Sequence, residues 1–190
     1  NPLGGATVEG PRVGEGFHSF VGELSISNRH GLTVGELCRW ARRERGIDVE
    51  LQVVPVEGWR RDEWWDETGL PWVPPSPNMP TLDTATVYPG ACLIEATVLS
   101  EGRGTTRPFE LVGAPWLEPN GFARRLSDFR LPGVAFRPVV FVPAFHKHAG
   151  CACGGVQIHV LSRSLFRPVL TGVALLAAAR AEDPRRFEWR

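Results

Sequence analysis

At 190 residues, with 43% hydrophobic and 22% charged content, the chain has the make-up of a globular protein of one domain, or of one small domain plus part of another. Acidic and basic residues balance at 21 each, which excludes the basic surplus of a nucleic-acid binder. No apolar run approaches the ~20 residues of a membrane-spanning helix.

The first residue is Asn1 and the only methionine is Met79, so the chain is read as a piece of a longer protein. Residues 1–22, rich in glycine and holding Pro2 and Pro11, read as connecting loop. A helix is predicted over 34–45. Thr33 and Glu36 form the T-x-x-E capping box at its start. Val34, Leu37, Cys38 and Ala41 share one face, and Gly46 stops the helix. Val49, Leu51 and Val53 alternate with Glu50 and Gln52, which predicts a strand over 49–56. Helix followed by strand points to the α/β class.

Residues 57–80 hold Trp59, Trp64, Trp65 and Trp72, then Pro71, Pro74, Pro75, Pro77 and Pro80. Proline bars regular structure there, and so many indoles predict an ordered loop packed on the body or lining a cleft. Beyond it the pattern predicts a short helix over 81–87, a buried strand over 91–96, a loop over 100–108 and a strand over 109–112. A helix over 121–129 and strands over 136–145 and 156–161 follow. The last helix starts at Pro168 and buries Val169, Val173, Leu176 and Ala177. Cys38 and Cys92 read as small buried hydrophobes.

Four groups of residues could carry chemistry. The first is SEGRGTTRPFE, residues 100–110, a loop behind an expected strand. It collects Glu101, Arg103, Arg107 and Glu110 beside three hydroxyls, with Gly102 and Gly104 allowing an unusual backbone path. Arginine forks bind carboxylates; from residue types alone the segment is equally a binding site or a self-bracing loop. The second is Arg29-His30-Gly31 at the helix entrance, able to hold an anion or a sugar hydroxyl. In the third, residues 74–90, Ser76, Asn78, Asp83 and Tyr88 lie on a proline-stiffened frame suited to a sugar. The fourth is His146, His148, Cys151 and Cys153. Its C-x-C spacing departs from the C-x₂₋₄-C of structural zinc, so no metal site is assigned. No phosphate-binding loop, dinucleotide fingerprint or serine-nucleophile motif is present.

The run GLPWVPPSPNMPTLDTATVYPGACLIEATVLSEGRGTTRPFELVGAPW, residues 69–116, closely resembles the NamZ-type exo-β-N-acetylmuramidases. So do NPLGG and VEGP near the start, RHGLTVGEL, VEGWRR and CGGVQIHV. The resemblance implies an α/β protein: residues 1–47 as the tail of a Rossmann-like N-terminal domain, and residues 48–190 as a smaller mixed α/β C-terminal domain, incomplete at its end. It implies an exo-acting glycosidase releasing β-linked N-acetylmuramic acid from the non-reducing ends of peptidoglycan fragments. Its partners would be such fragments or muropeptides, with no cofactor, outside the cell or in the periplasm.

The Pro-Glu-His-Gly stretch associated with the family's main glutamate does not occur in this chain, so the fragment is expected to be inactive alone. Glycosidases commonly use two carboxyl groups. Glu101 is the first candidate for the second of them and Glu95 the other. Arg103 and Arg107 are nominated to read the lactyl carboxylate of muramic acid. Arg29, His30, Ser76, Asn78, Tyr88 and Glu110 complete the expected substrate-binding set. The alternatives are a non-catalytic carbohydrate-binding or interaction domain, and a metal or redox protein built on residues 146–153.

Overall fold

The computed structural model describes residues 2–190 and divides into two compact units, Asn1–Trp72 and Val73–Arg190. The boundary falls later than the 47/48 division read from the sequence, because the tryptophan segment folds with the first unit. Leu3 bridges Trp64, and the amide of Trp65 donates to the carbonyl of Pro2 at 3.1 Å.

In the first unit β1 (Glu9–Arg12) pairs antiparallel with β2 (Ser27–Arg29), and α1 (Val34–Glu44) follows. The capping box forms as expected. The hydroxyl of Thr33 accepts from the Glu36 amide at 3.1 Å, and Glu36 accepts from the Thr33 amide at 2.9 Å. The packing differs from expectation. No residue of α1 is buried, Val34 is 79% exposed and Cys38 is exposed rather than tucked away as a small hydrophobe. The expected strand over 49–56 forms no ladder, since among the described residues no neighbouring strand pairs with it. Val53 instead packs on the helix, where a Cβ at Gly35 would lie 2.5 Å from its Cγ1.

The second unit is mixed α/β. Its sheet runs in the order β3-β5-β4, fully antiparallel, with β3 (Leu111–Ala114), β4 (Val134–Phe141) and β5 (Cys153–Val160). Val156 on the central strand opposes both Val112 and Pro138. Pro138 is tolerated because β4 is an edge. Helices α2 (Leu82–Ala91), α3 (Pro119–Asp128) and α4 (Pro168–Glu182) surround a core of Ile94, Leu99, Phe109, Val112, Phe122, Leu126, Val156, Phe166 and Leu175. Among the described residues no helix is long and apolar enough to cross a membrane.

Two expectations fail here. The apolar run 91–96 is no strand; α2 passes directly into a 3-10 turn, Cys92–Ala96. Pro89 deprives the helix of one backbone donor at that point, and the tighter turn takes over. On α4, Val173 and Ala177 face outward, while Val169, Ala174, Leu175, Leu176, Ala178 and Ala179 are buried. That helix is apolar nearly all round, so spacing alone does not reveal its inner face. Gly90 and Gly172 let α2 and α4 touch backbone to backbone: a Cβ on Gly90 would lie 1.7 Å from the carbonyl oxygen of Pro168.

Candidate functional site

The segment 100–110 is anchored at both ends before any side chain is considered. Ser100 exchanges backbone hydrogen bonds with Gly113 of β3, at 2.8 and 3.1 Å. In the middle, the carbonyl of Gly104 accepts from the Ala144 amide at 2.8 Å, tying the segment to the loop after β4. Gly104 has φ +80°, and a Cβ there would meet the backbone nitrogen of Phe145 at 2.6 Å, so only glycine serves.

Glu101 is the hub of this junction and is 0% exposed. Its Oε1 lies 3.2 Å from Nε of Arg103 and 3.0 Å from Nδ1 of His146; its Oε2 lies 2.9 Å from Nζ of Lys147. These are contacts of charge at short range, since neither carboxylate oxygen accepts an aligned hydrogen bond. Lys147 also donates to the carbonyls of Ile94, Glu95 and Leu99, at 3.1, 3.1 and 3.0 Å. A compact ammonium can serve several acceptors converging from different directions, where a planar guanidinium cannot. This gives the chain's single lysine a physical reason.

Arg103 spans two carboxylates. Besides Glu101 it donates from Nη2 to Glu95 at 2.6 Å, and its guanidinium lies 5.0 Å from the centre of the Phe109 ring. Tyr88 meets the same ring edge-on at 4.8 Å. Burial first, then the charges of Cys92 and Glu95, push the Tyr88 hydroxyl pKa up, with Arg103 opposing. Glu95, Arg103 and Tyr88 all remain partly open to solvent, unlike Glu101.

A second polar group lies one turn back along α2. Glu110 is buried; its Oε1 accepts from the Thr84 hydroxyl at 2.8 Å, and its Oε2 lies 3.3 Å from Nη1 of Arg107. Burial pushes its carboxyl pKa up, and the bonds from Thr84 and Arg107 only partly offset this. The Arg107 side chain is 46% exposed. Thr84 and Tyr88 stand four residues apart on one helix face, so the two groups flank the same stripe of α2.

The other expected residues make local contacts of their own. Ser76 and Asn78 form a turn at the start of the second unit, the Asn78 amide donating to the Ser76 hydroxyl at 3.4 Å. Arg29 and His30 belong to the first unit. Arg29 is buried, donates to the Leu3 carbonyl at 2.7 Å and stacks on Trp64, bracing the N-terminal loop. His30 accepts from the Leu32 amide at 3.1 Å, and burial lowers its pKa.

The cluster at 146–153 disperses. His148 turns its Nε2 to the Val98 carbonyl at 2.7 Å, and Cys153 is buried in β5 with its thiol pushed up to about 11 by burial. Among the described residues no group of three or more His, Cys, Asp or Glu side chains could hold a metal ion. Sequence reasoning missed His146 and Lys147 as partners of Glu101. The isolated lysine was the one visible hint.

A family model described as exo-beta-N-acetylmuramidase NamZ, C-terminal, matches residues 86–190, and its N-terminal counterpart matches residues 1–83. The chain belongs to the NamZ family. It is 45% identical over 189 residues to the peptidoglycan beta-N-acetylmuramidase NamZ of Bacillus subtilis, all of the chain aligning with 46% of that relative. The chain thus spans about half the length of the curated relative it matches. A crystal structure of a DUF1343 family protein from Bacteroides fragilis superposes with a TM-score of 0.90 at 33% identity, covering 98% of this chain and 49% of that one. A second DUF1343 family protein from the same organism shares the fold at a TM-score of 0.67 and 24% identity, over 97% of this chain and 56% of its own.

Proposed function

We propose that the protein is an exo-acting glycosidase that releases β-linked N-acetylmuramic acid from the non-reducing ends of peptidoglycan fragments, working where such fragments lie, outside the cell or in the periplasm. This chain contributes part of the saccharide site, and the principal acid is supplied by residues beyond it. The observation that carries the reading is the partly exposed array of Tyr88 on α2, Glu95 on the 3-10 turn that follows and Arg103 on the loop beyond, on a chain of the NamZ family.

The roles follow from exposure. Glu101, sealed by Arg103, Lys147 and His146, holds the loop rather than touching a sugar. Glu95 is the carboxyl group open to a substrate, and Arg103 fixes its position. Tyr88 offers a ring edge and a hydroxyl to a pyranose. Arg107 has one nitrogen on Glu110 and the rest of its fork toward solvent, which suits it to the lactyl carboxylate. Incubating the full-length protein with a chromogenic aryl β-N-acetylmuramide tests the reading. Release of the aryl group is expected, and residues 1–190 alone should release none. Binding of muropeptides without hydrolysis by the full-length protein would make this a carbohydrate-binding protein instead.

A further inference from the structure

His146 takes no part in the reading above, yet its surroundings are those of a working side chain. Its Nδ1 lies 3.0 Å from a carboxylate oxygen that is wholly buried, while its own side chain is 46% exposed. In the tautomer with its proton on Nδ1, facing the carboxylate, Nε2 of the ring is left as an acceptor. Among the described residues Nε2 has no protein partner. The backbone is held at φ +71°, a region that a residue with a Cβ rarely occupies. Flanking contacts maintain it: the Ala144 amide on Gly104, Lys147 on three carbonyls, and His148 on Val98. His146 and Arg103 converge on the same oxygen of Glu101, which brings the imidazole beside the Arg103–Glu95 pair.

We propose that His146 is a further substrate-binding residue of this site, its ring oriented by Glu101 so that Nε2 accepts a hydrogen bond from a hydroxyl of the bound saccharide. The inference rests on the glycosidase reading. Strain maintained at a half-exposed residue by contacts on both sides is what a pre-set binding group requires, whereas a residue serving only to brace Glu101 needs no open ring edge.

The test compares His146→Ala, His146→Gln and His146→Asn in the full-length protein acting on a chromogenic aryl β-N-acetylmuramide. Losing one hydrogen bond of uniform binding predicts KM raised about ten-fold in His146→Ala, with kcat within about two-fold. The glutamine amide reaches the position of Nε2 and the asparagine amide only that of Nδ1. Recovery of KM by Gln and not by Asn is therefore expected. Recovery by Asn and not by Gln, or an unchanged KM in His146→Ala, overturns the proposal and leaves the glycosidase reading intact. A wild-type protein that does not hydrolyse the glycoside removes that reading and this inference together. Nitrogen-15 shifts of the ring in residues 1–190 give a further check: an Nε2-protonated tautomer overturns the proposal without reference to any activity.

Discussion

Nζ of Lys147 lies 2.9 Å from Oε2 of Glu101, and both side chains are all but removed from solvent, at 4% and 0% exposure. Taking one member away would leave the other charged and buried, the costly half of a buried pair. Lys147→Ala is expected to destabilise the fold by about 3–5 kcal/mol. Lys147→Arg should not restore it, because the planar fork cannot meet three carbonyls and a carboxylate at once. Denaturant unfolding monitored by tryptophan fluorescence checks both variants; an arginine variant as stable as wild type would refute the geometric argument.

The α2–α4 contact gives a sharper steric prediction. A Cβ at position 90 would sit 1.7 Å from the Pro168 carbonyl oxygen and 2.4 Å from its carbon. Both obstacles are backbone, so no side chain can swing aside. Gly90→Ala is expected to cost at least about 3 kcal/mol, the upper end for overpacking. Gly58 has φ +72° but nothing within 4 Å of a built Cβ, so Gly58→Ala isolates backbone strain from collision. The unfolding midpoint should fall much further for Gly90→Ala.

Glu110 makes stability depend on pH in a defined direction. Burial raises its carboxyl pKa in the folded state, opposed by Thr84 and Arg107 and reinforced by the charge of Asp83. The folded protein thus binds more protons at this site than the unfolded chain does. Its contribution is fully present below the ordinary glutamate value and is lost as pH rises through the raised folded value. Glu110→Gln keeps an acceptor for Thr84 and removes the titration. Its unfolding free energy, measured from mildly acidic to neutral pH, should decline less steeply with rising pH than that of the wild type; an identical slope would show that another group is responsible.

How far these relationships could be read in advance depended on how local they are. The capping box of Thr33 and Glu36 spans one helical turn and formed as the residue types require. The alternation over 49–56 was real, but a strand exists only by pairing, and a period of two says nothing about whether a partner is present. The run 91–96 was apolar without alternation, and such short runs do not separate strand from helix. The site divides the same way. Glu95, Arg103 and Tyr88 were nominated by type and do cluster. That Glu101 would be sealed depended on Lys147, 46 positions further on, which no spacing rule connects to it.

Arg107 carries the last prediction. The lactyl ether of muramic acid adds a carboxylate that glucosamine lacks, and a half-exposed guanidinium fork is suited to reading it in the proposed site. Arg103 is less suited, with Glu95, Glu101 and the Phe109 ring already on it. In the full-length protein, Arg107→Ala should lower kcat/KM for an aryl β-N-acetylmuramide by roughly ten- to a hundred-fold, the loss of one charge-assisted hydrogen bond or two. Turnover of the matching glucosaminide, however slow, should be nearly unaffected. Arg107→Lys should recover only part of the loss, since an ammonium keeps the charge but not the bidentate geometry. The ratio of the two substrates' kcat/KM values is the measurement that decides. If Arg107→Ala lowers both equally, Arg107 supports the fold through Glu110 and does not read the lactyl group.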